Sequence, residues 1–282
     1  MLKYRILTGG GFLAFVAGMY IWAPAAVVGM VILGLSVLAI LEMVELMKAA
    51  GYPALKWTSL GVTLLWMLGA WFTGNGTVGW EELRLVMPVI SVWVVFLGCL
   101  FRKDQSRSLA KVTGSFTSIA YVAGLLQFVL MILFMGKGET DGRSLILYGI
   151  LVIKSTDMGA YFVGSAIGKH KMIPAISPAK TWEGVIGGVL VAVAVSALLM
   201  KLYAYEMSGY SFSWLDGLVL GFLMAVFGIV GDLVESMMKR AAGIKDSGTW
   251  LKGMGGILDV LDSLLFALPV LYIFVRLGWN GL

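Results

Sequence analysis

Apolar residues run in stretches of about twenty along the whole chain, and polar residues gather in the short segments between them. A helix needs about twenty apolar residues to cross a hydrocarbon layer of about 30 Å, so each stretch predicts one membrane-spanning helix. The pattern predicts about nine spans, near residues 6–22, 25–46, 58–73, 85–101, 112–135, 145–166, 184–204, 213–235 and 256–275. Residues 6–22 follow Lys3 and Arg5 as a signal peptide does. No small-residue cleavage site follows, however, and the next span begins almost at once, so the segment reads as a retained helix.

Composition agrees with the pattern. The chain of 282 residues is 60% hydrophobic and 13% charged, which excludes an ordinary soluble domain and predicts an all-α, polytopic integral membrane protein. Lys and Arg set the orientation, because positive loops stay on the cytoplasmic side. With the N-terminus cytoplasmic, that side holds Lys3, Arg5, Lys48, Lys56, Arg102, Lys103, Arg107, Lys111, Lys169, Lys171, Lys180, Lys239, Arg240, Lys245 and Lys252, fifteen of the 21 cations. The other side holds Arg84, Lys137, Arg143, Lys201 and Arg276, and Lys154 lies inside a span. The net charge of +5 is therefore accounted for by topology and an anionic membrane surface, and no nucleic-acid motif accompanies it. The single cysteine, Cys99, lies in an apolar span as a packing residue and excludes a disulfide within the chain.

The two halves differ in chemistry. Residues 1–143 read as scaffold helices with almost no internal charge; Glu42 and Glu45 fall at the cytoplasmic end of the second span and read as a solvated helix end. Residues 144–282 carry acids inside the spans, and these read as the catalytic half. Glycines in GVIGGV and GLVLGF read as packing positions that let helix backbones approach closely.

An ionisable group costs several kcal/mol in a lipid-facing helix, so intramembrane acids face a polar interior and mark a working site. Asp232, Glu235, Ser236 and Lys239 fall at i, i+3, i+4 and i+7 and share a helical face, as do Asp259 and Asp262 in the next span. If those faces meet, the carboxylates either surround a hard cation such as Mg²⁺ or share a proton. Between them the segment MKRAAGIKDSGTWLKGMGG reads as a cytoplasmic loop, with Lys239, Arg240, Lys245 and Lys252 beside Gly253, Gly255 and Gly256. Cations beside a glycine-rich helix start make an anion site that a triphosphate would fit; positive-inside residues binding lipid headgroups account for the charge but not for the glycines and acids beside it. Earlier, Lys154, Asp157 and Tyr161 share a face in KSTDMGAYFVG, as an ion pair or as a further wall of the site. In GKHKMIPAISPAKTWEGVIGG, Ser177 and Pro178 read as a helix start, Glu183 as a first-turn acid, and His170 as a solvated residue.

The stretches DMGAYFVG, SPAKTWEG, GDLVESMMKRAAGIKDSG and GGILDVLDS, in this order, resemble the phosphatidate cytidylyltransferase family, also called CDP-diacylglycerol synthases. The resemblance is specific over the C-terminal half and extends to the N-terminal half only as hydrophobic character. It implies an enzyme that condenses CTP with phosphatidic acid to CDP-diacylglycerol and pyrophosphate, using Mg²⁺ with room for a second cation. It further implies a homodimer in the cell's inner, cytoplasmic membrane, among membrane lipids, with its site open to the cytoplasm.

Carried over position by position, Asp232 and Asp259 become the metal-binding acids. Ser236, Lys239, Arg240, Lys245, Asp246 and Asp262 fall on the rest of the C-terminal motif, and Ser177, Lys180, Thr181 and Glu183 on the loop motif. The chain departs from the family's Leu-Pro-Gly-His-Gly-Gly at Lys252 and Met254, and from its Asp-Arg at Val260. Two further readings fit the same acids. One is a CTP-dependent polyprenol or phytol kinase, and the other a cation- or proton-coupled transporter using Asp232, Asp259 and Lys154 as an ion path.

Overall fold

Helices begin and end close to where the apolar runs do. The computed structural model describes residues 11, 14–74, 80–103, 105–136, 141–203, 207, 209–248 and 255–277. Lys3, Arg5, Lys137, Lys252, Gly253 and Met254, which entered the sequence reading, lie outside the described residues. Residues 14–22 are helical (α1). The chain continues through α2 (Ala25–Ala49), α3 (Lys56–Gly74), α4 (Trp80–Leu100), α5 (Ser108–Leu133) and α6 (Arg143–Ile167). A short hairpin, β1 (Lys171–Ile173) and β2 (Ser177–Thr181), leads into α7 (Trp182–Tyr203), α8 (Trp214–Ala241) and α9 (Ile257–Arg276). Among the described residues the protein is all-α apart from this hairpin and an isolated bridge between Met207 and Tyr210. Among the described residues, six helices (α2 and α5 to α9) are long and apolar enough to cross a membrane.

The helices fall into two units, Met1–Phe134 with Met238–Val260, and Met135–Met237 with Leu261–Leu282. In the first unit α5 packs against α2, α3 and α4. Leu55, Val62, Val95, Cys99, Val112, Ile119 and Ala123 form a buried cluster, which bears out the packing role of Cys99. Two hydrogen bonds tie polar groups inside: Ser115 Oγ accepts the Leu55 N–H at 2.8 Å, and Trp66 donates its indole N–H to Ser91 Oγ at 2.9 Å.

In the second unit α6 and α7 lie against each other along a seam of small residues. A Cβ on Gly188 would lie 2.7 Å from the Thr156 carbonyl oxygen, and one on Gly159 2.8 Å from Val191 Cβ, so the backbones could not approach with larger residues there. Gly217 and Gly221 of α8 meet Ala197 and Ser196 of α7 in the same way. The packing role read for the GVIGGV and GLVLGF glycines therefore holds. Tyr148 Oη and Ser196 Oγ lie 2.6 Å apart in this core, and Ser196 donates to the Gly217 carbonyl at 2.5 Å. On the outside, Met158, Tyr161 and Phe162 of α6 stay exposed, the apolar surface a helix turns towards lipid.

Two sequence expectations are corrected. Ser177 and Pro178 belong to β2 rather than to a helix start, in antiparallel register with β1 that pairs Lys171 with Thr181 and Ile173 with Ser177. Proline is tolerated because each strand of a two-stranded sheet is an edge. Thr181 caps α7 instead, its hydroxyl accepting the Gly184 N–H at 3.2 Å. Lys239 and Arg240 are not in a loop either but in the last turn of α8, where cations oppose the negative end of the helix dipole. The helix stops at Gly243, with φ +70°. Gly243 N–H bonds the Arg240 carbonyl at 3.1 Å and Ile244 N–H the Lys239 carbonyl at 3.0 Å, a Schellman closure.

Candidate active site

Most of the residues singled out in the sequence gather in two clusters, one in each unit. In the second unit, Lys180 of β2 reaches Asp232 of α8, Nζ to Oδ2 at 2.7 Å, with the two side chains 22% and 32% exposed. Ser236, one turn on, donates to the other oxygen of Asp232 at 3.3 Å. Asp262 lies on α9 where that helix meets α8, for a Cβ on Gly231 of α8 would lie 3.1 Å from Phe266 Cβ and would strike the Asp262 carbonyl. α8 and α9 thus touch where Asp232 and Asp262 stand, a meeting that the spacing left open. Lys154 and Asp157 form an ion pair of 3.3 Å on α6.

In the first unit, Asp259 is the hub. Its Oδ1 takes the Lys239 ammonium at 2.5 Å. Its Oδ2 accepts the Ser247 N–H at 2.9 Å, the Ser247 hydroxyl at 2.9 Å and the Gly256 N–H at 2.7 Å. Asp259 is the third residue of α9 and reaches back to Gly256 just ahead of the helix, one half of a capping box. Gly255 holds φ +89°, a backbone state other residues rarely adopt, and a Cβ there would also press on the Asp259 carboxylate.

The rest of the α9 start is closed by a residue that the sequence reading placed elsewhere. Glu42 of α2 is 6% exposed, not solvated. It accepts the Ile257 and Leu258 N–H groups on Oε1 and Oε2, each at 2.9 Å, and the Ser247 hydroxyl at 3.3 Å. The signal was present: Glu42 has Leu38 and Leu46 one turn away on either side, so it stands on an apolar face, whereas Glu45 has Lys48 beside it. Glu45 is solvated as expected and pairs with Lys48 at 3.5 Å. Ser247, absent from the candidate residues, carried no sequence signal because its role depends on two partners from other elements. The N–H groups of Gly256, Ile257 and Leu258 all go to protein carboxylates.

The remaining candidates are placed as follows. Thr181 is buried in its cap, and Ser177 is half-buried in β2. Glu183 accepts the backbone N–H groups of Lys169 and His170, each at 3.2 Å, and meets His170 Nδ1 at 2.5 Å. His170 is exposed, as expected, but tied to this acid. Tyr161, Arg240, Lys245 and Asp246 are exposed. Val260, where the family pattern has arginine, is buried in α9.

Chemically, Asp232 and Asp259 carry hard oxygen donors of the kind divalent cations take, and each is paired here with a lysine ammonium that a cation would have to displace. Among the described residues no three carboxylate, imidazole or thiol groups are gathered as one metal-binding cluster.

Lys–Asp pairs in and beside helices long and apolar enough to cross a bilayer are the marks of a polytopic membrane protein with a polar site. A family model covering nearly the whole chain gives that class a family. The chain belongs to the cytidylyltransferase family, whose model matches residues 3–278. It is similar to the phosphatidate cytidylyltransferase of Bacillus subtilis (strain 168), 33% identical over 289 residues that cover 98% of each chain. It is also similar to the proteins of that name from Staphylococcus aureus (strain COL), 35% identical over 196 residues, 70% of this chain and 71% of the relative, and from Staphylococcus haemolyticus (strain JCSC1435), 42% identical over 159 residues, 56% of each.

Proposed function

We propose that this protein is a phosphatidate cytidylyltransferase of the membrane, condensing CTP with phosphatidic acid to CDP-diacylglycerol and pyrophosphate. The observation that carries the reading is the Lys180–Asp232 ion pair, which joins the SPAKTWEG and GDLVES stretches in a chain similar to enzymes of that name from end to end. A phosphatidate oxygen attacks the α-phosphorus of CTP, and the bond to the bridging oxygen breaks so that pyrophosphate leaves with the electron pair. The barrier is mainly charge, since one anion attacks another, and no covalent nucleophile is needed.

Asp232 and Asp259 are the acids that would hold Mg²⁺, with a second cation allowed, and water and substrate oxygens completing the shell. When bound, Mg²⁺ supplies neutralisation of phosphate charge and orientation of the nucleotide. Lys180 and Lys239 hold the two acids in place; once released from them, both ammonium groups can turn to phosphate. Arg240 and Lys245 add positive charge beside the pyrophosphate, and Asp157, Asp262, Ser236 and Ser177 line the polar side of the site. The lipid phosphate stays at the membrane surface while its tails lie against apolar helix faces such as that of Met158, Tyr161 and Phe162.

Nine crossings, a cytoplasmic N-terminus, a cytoplasm-facing site in the inner membrane and a homodimer complete the proposal, supported by the distribution of Lys and Arg and by the family resemblance. The test is incorporation of labelled CTP into chloroform-soluble CDP-diacylglycerol by purified protein in mixed micelles with phosphatidate and Mg²⁺. Product that depends on phosphatidate supports the reading. Labelled phosphate appearing on a lipid alcohol instead would favour the CTP-dependent kinase, and no lipid product with ion-gradient-dependent flux in vesicles would favour the transporter.

A further inference from the structure

Glu42 stands in the half of the chain otherwise without acid chemistry, and it is buried at 6% exposure. All of its protein partners named above are donors: the Ile257 N–H, the Leu258 N–H and the Ser247 hydroxyl. The residue ahead of α9 is Gly256, which has no side-chain oxygen to cap the helix. Glu42 provides that function from another helix, and the surroundings are shaped to admit it. A Cβ on either Gly248 or Gly256 would collide with the Glu42 carboxylate.

The consequence falls on Asp259. An uncapped helix start would leave the N–H groups of Ile257 and Leu258 seeking an acceptor, and the Asp259 carboxylate is the near one. With Glu42 in place, Asp259 commits only Oδ2 to the turn, to Ser247 and Gly256, and Oδ1 is left facing the Lys239 cation. The Ser247 hydroxyl lies between the two carboxylates, 2.9 Å from Asp259 and 3.3 Å from Glu42, and so ties their positions together.

We propose that Glu42 is a positioning residue for the transfer reaction: by taking the first N–H groups of α9 and sharing Ser247, it fixes the turn that carries Asp259 and keeps one Asp259 oxygen available to a cation. The proposal rests on the reading of Asp259 as a cation-binding acid.

Glu42→Gln tests it, because Gln has the same size but sets an NH₂ group against backbone N–H donors. Parent, Glu42→Gln and Asp259→Asn are compared as purified full-length proteins in mixed micelles, by kcat, by KM for CTP, and by the CTP–Mg²⁺ concentration giving half-maximal thermal protection without phosphatidate. The expected result is a folded Glu42→Gln protein with kcat down about tenfold and the half-protection concentration up about tenfold, beside an inactive Asp259→Asn.

If the folded fraction of Glu42→Gln melts earlier but keeps the parent's kcat and half-protection concentration, Glu42 is only a helix cap and the proposal is overturned. Parental activity in Asp259→Asn would instead remove the site reading, and the positioning role with it. Should Glu42→Gln fail to fold, Ser247→Ala decides, since it cuts the link between the carboxylates and leaves the cap. A kcat reduced several-fold with a weaker protection by CTP–Mg²⁺ supports the proposal, and parental values overturn it.

Discussion

Lys180 and Asp232 come from different motifs and different elements, and meet at 2.7 Å. The hairpin brings the lysine to α8, so the loop motif and the intramembrane acid act as one group. A pair this exposed contributes only about 0.2–1 kcal/mol to stability. In the proposed function its value is in holding charge where a phosphorylated substrate and its counter-cation would arrive.

Lys180→Met should therefore separate activity from folding. CTP turnover is expected to fall about 100-fold, the scale seen when one donor to developing phosphate or oxyanion charge is lost. Thermal unfolding in detergent should move little. A large drop in melting temperature with unchanged turnover per folded molecule would assign the pair to stability instead.

Asp232→Asn and Asp259→Asn should both abolish lipid product but differ in stability. Asp232 is half-buried, with partners in Lys180 and Ser236. The Asp259–Lys239 pair is only 10% and 12% exposed, and Asp259 also holds Ser247 and Gly256. Leaving such donors unmatched costs about 1–3 kcal/mol. Denaturation of the two variants in the same detergent should show Asp259→Asn as the weaker protein.

Gly248→Ala and Gly256→Ala should each destabilise by about 1–3 kcal/mol, because the new Cβ overlaps the Glu42 carboxylate. Gly243→Ala is the control: nothing lies within 4 Å of its Cβ position, and only its φ of +70° resists. Its cost should be about 1 kcal/mol. Thermal unfolding of the three proteins gives the order.

Glu183→Ala should loosen the base of the hairpin. Its carboxylate holds the backbone N–H groups of Lys169 and His170 where α6 gives way to β1. Hydrogen exchange followed by mass spectrometry should show faster exchange at these two amides. The amides inside α7 should stay protected, since Thr181 still caps that helix.

What could be read from the sequence follows from the range of each interaction. Span positions depend on local hydrophobicity, and every described helix lies within a few residues of its apolar run. The acid faces of α8 and α9 were legible only in part: helical spacing puts Asp232 with Ser236, but Glu235 of the same expected face is fully buried, Lys239 turns to Asp259, and Asp262 stands apart from Asp259. The strand at Ser177–Thr181 was not, because Ser-Pro before a first-turn acid also describes a helix start, and pairing with Lys171–Ile173 decides the matter. The last turn of α8 was missed because the cations that ordinarily mark a loop also stabilise a helix C-terminus. Glu42 was misread because its donors, Ile257 and Leu258, stand 215 and 216 positions away.

That separation has a consequence in time. A ribosome adding about 5–20 residues per second makes α2 roughly 10–40 s before the first turn of α9 exists. Through that interval the Glu42 carboxylate has none of its α9 donors. Its burial is accordingly a closing event of biogenesis. A chain halted before α9 would leave that carboxylate without the backbone N–H groups that cap it in the finished protein.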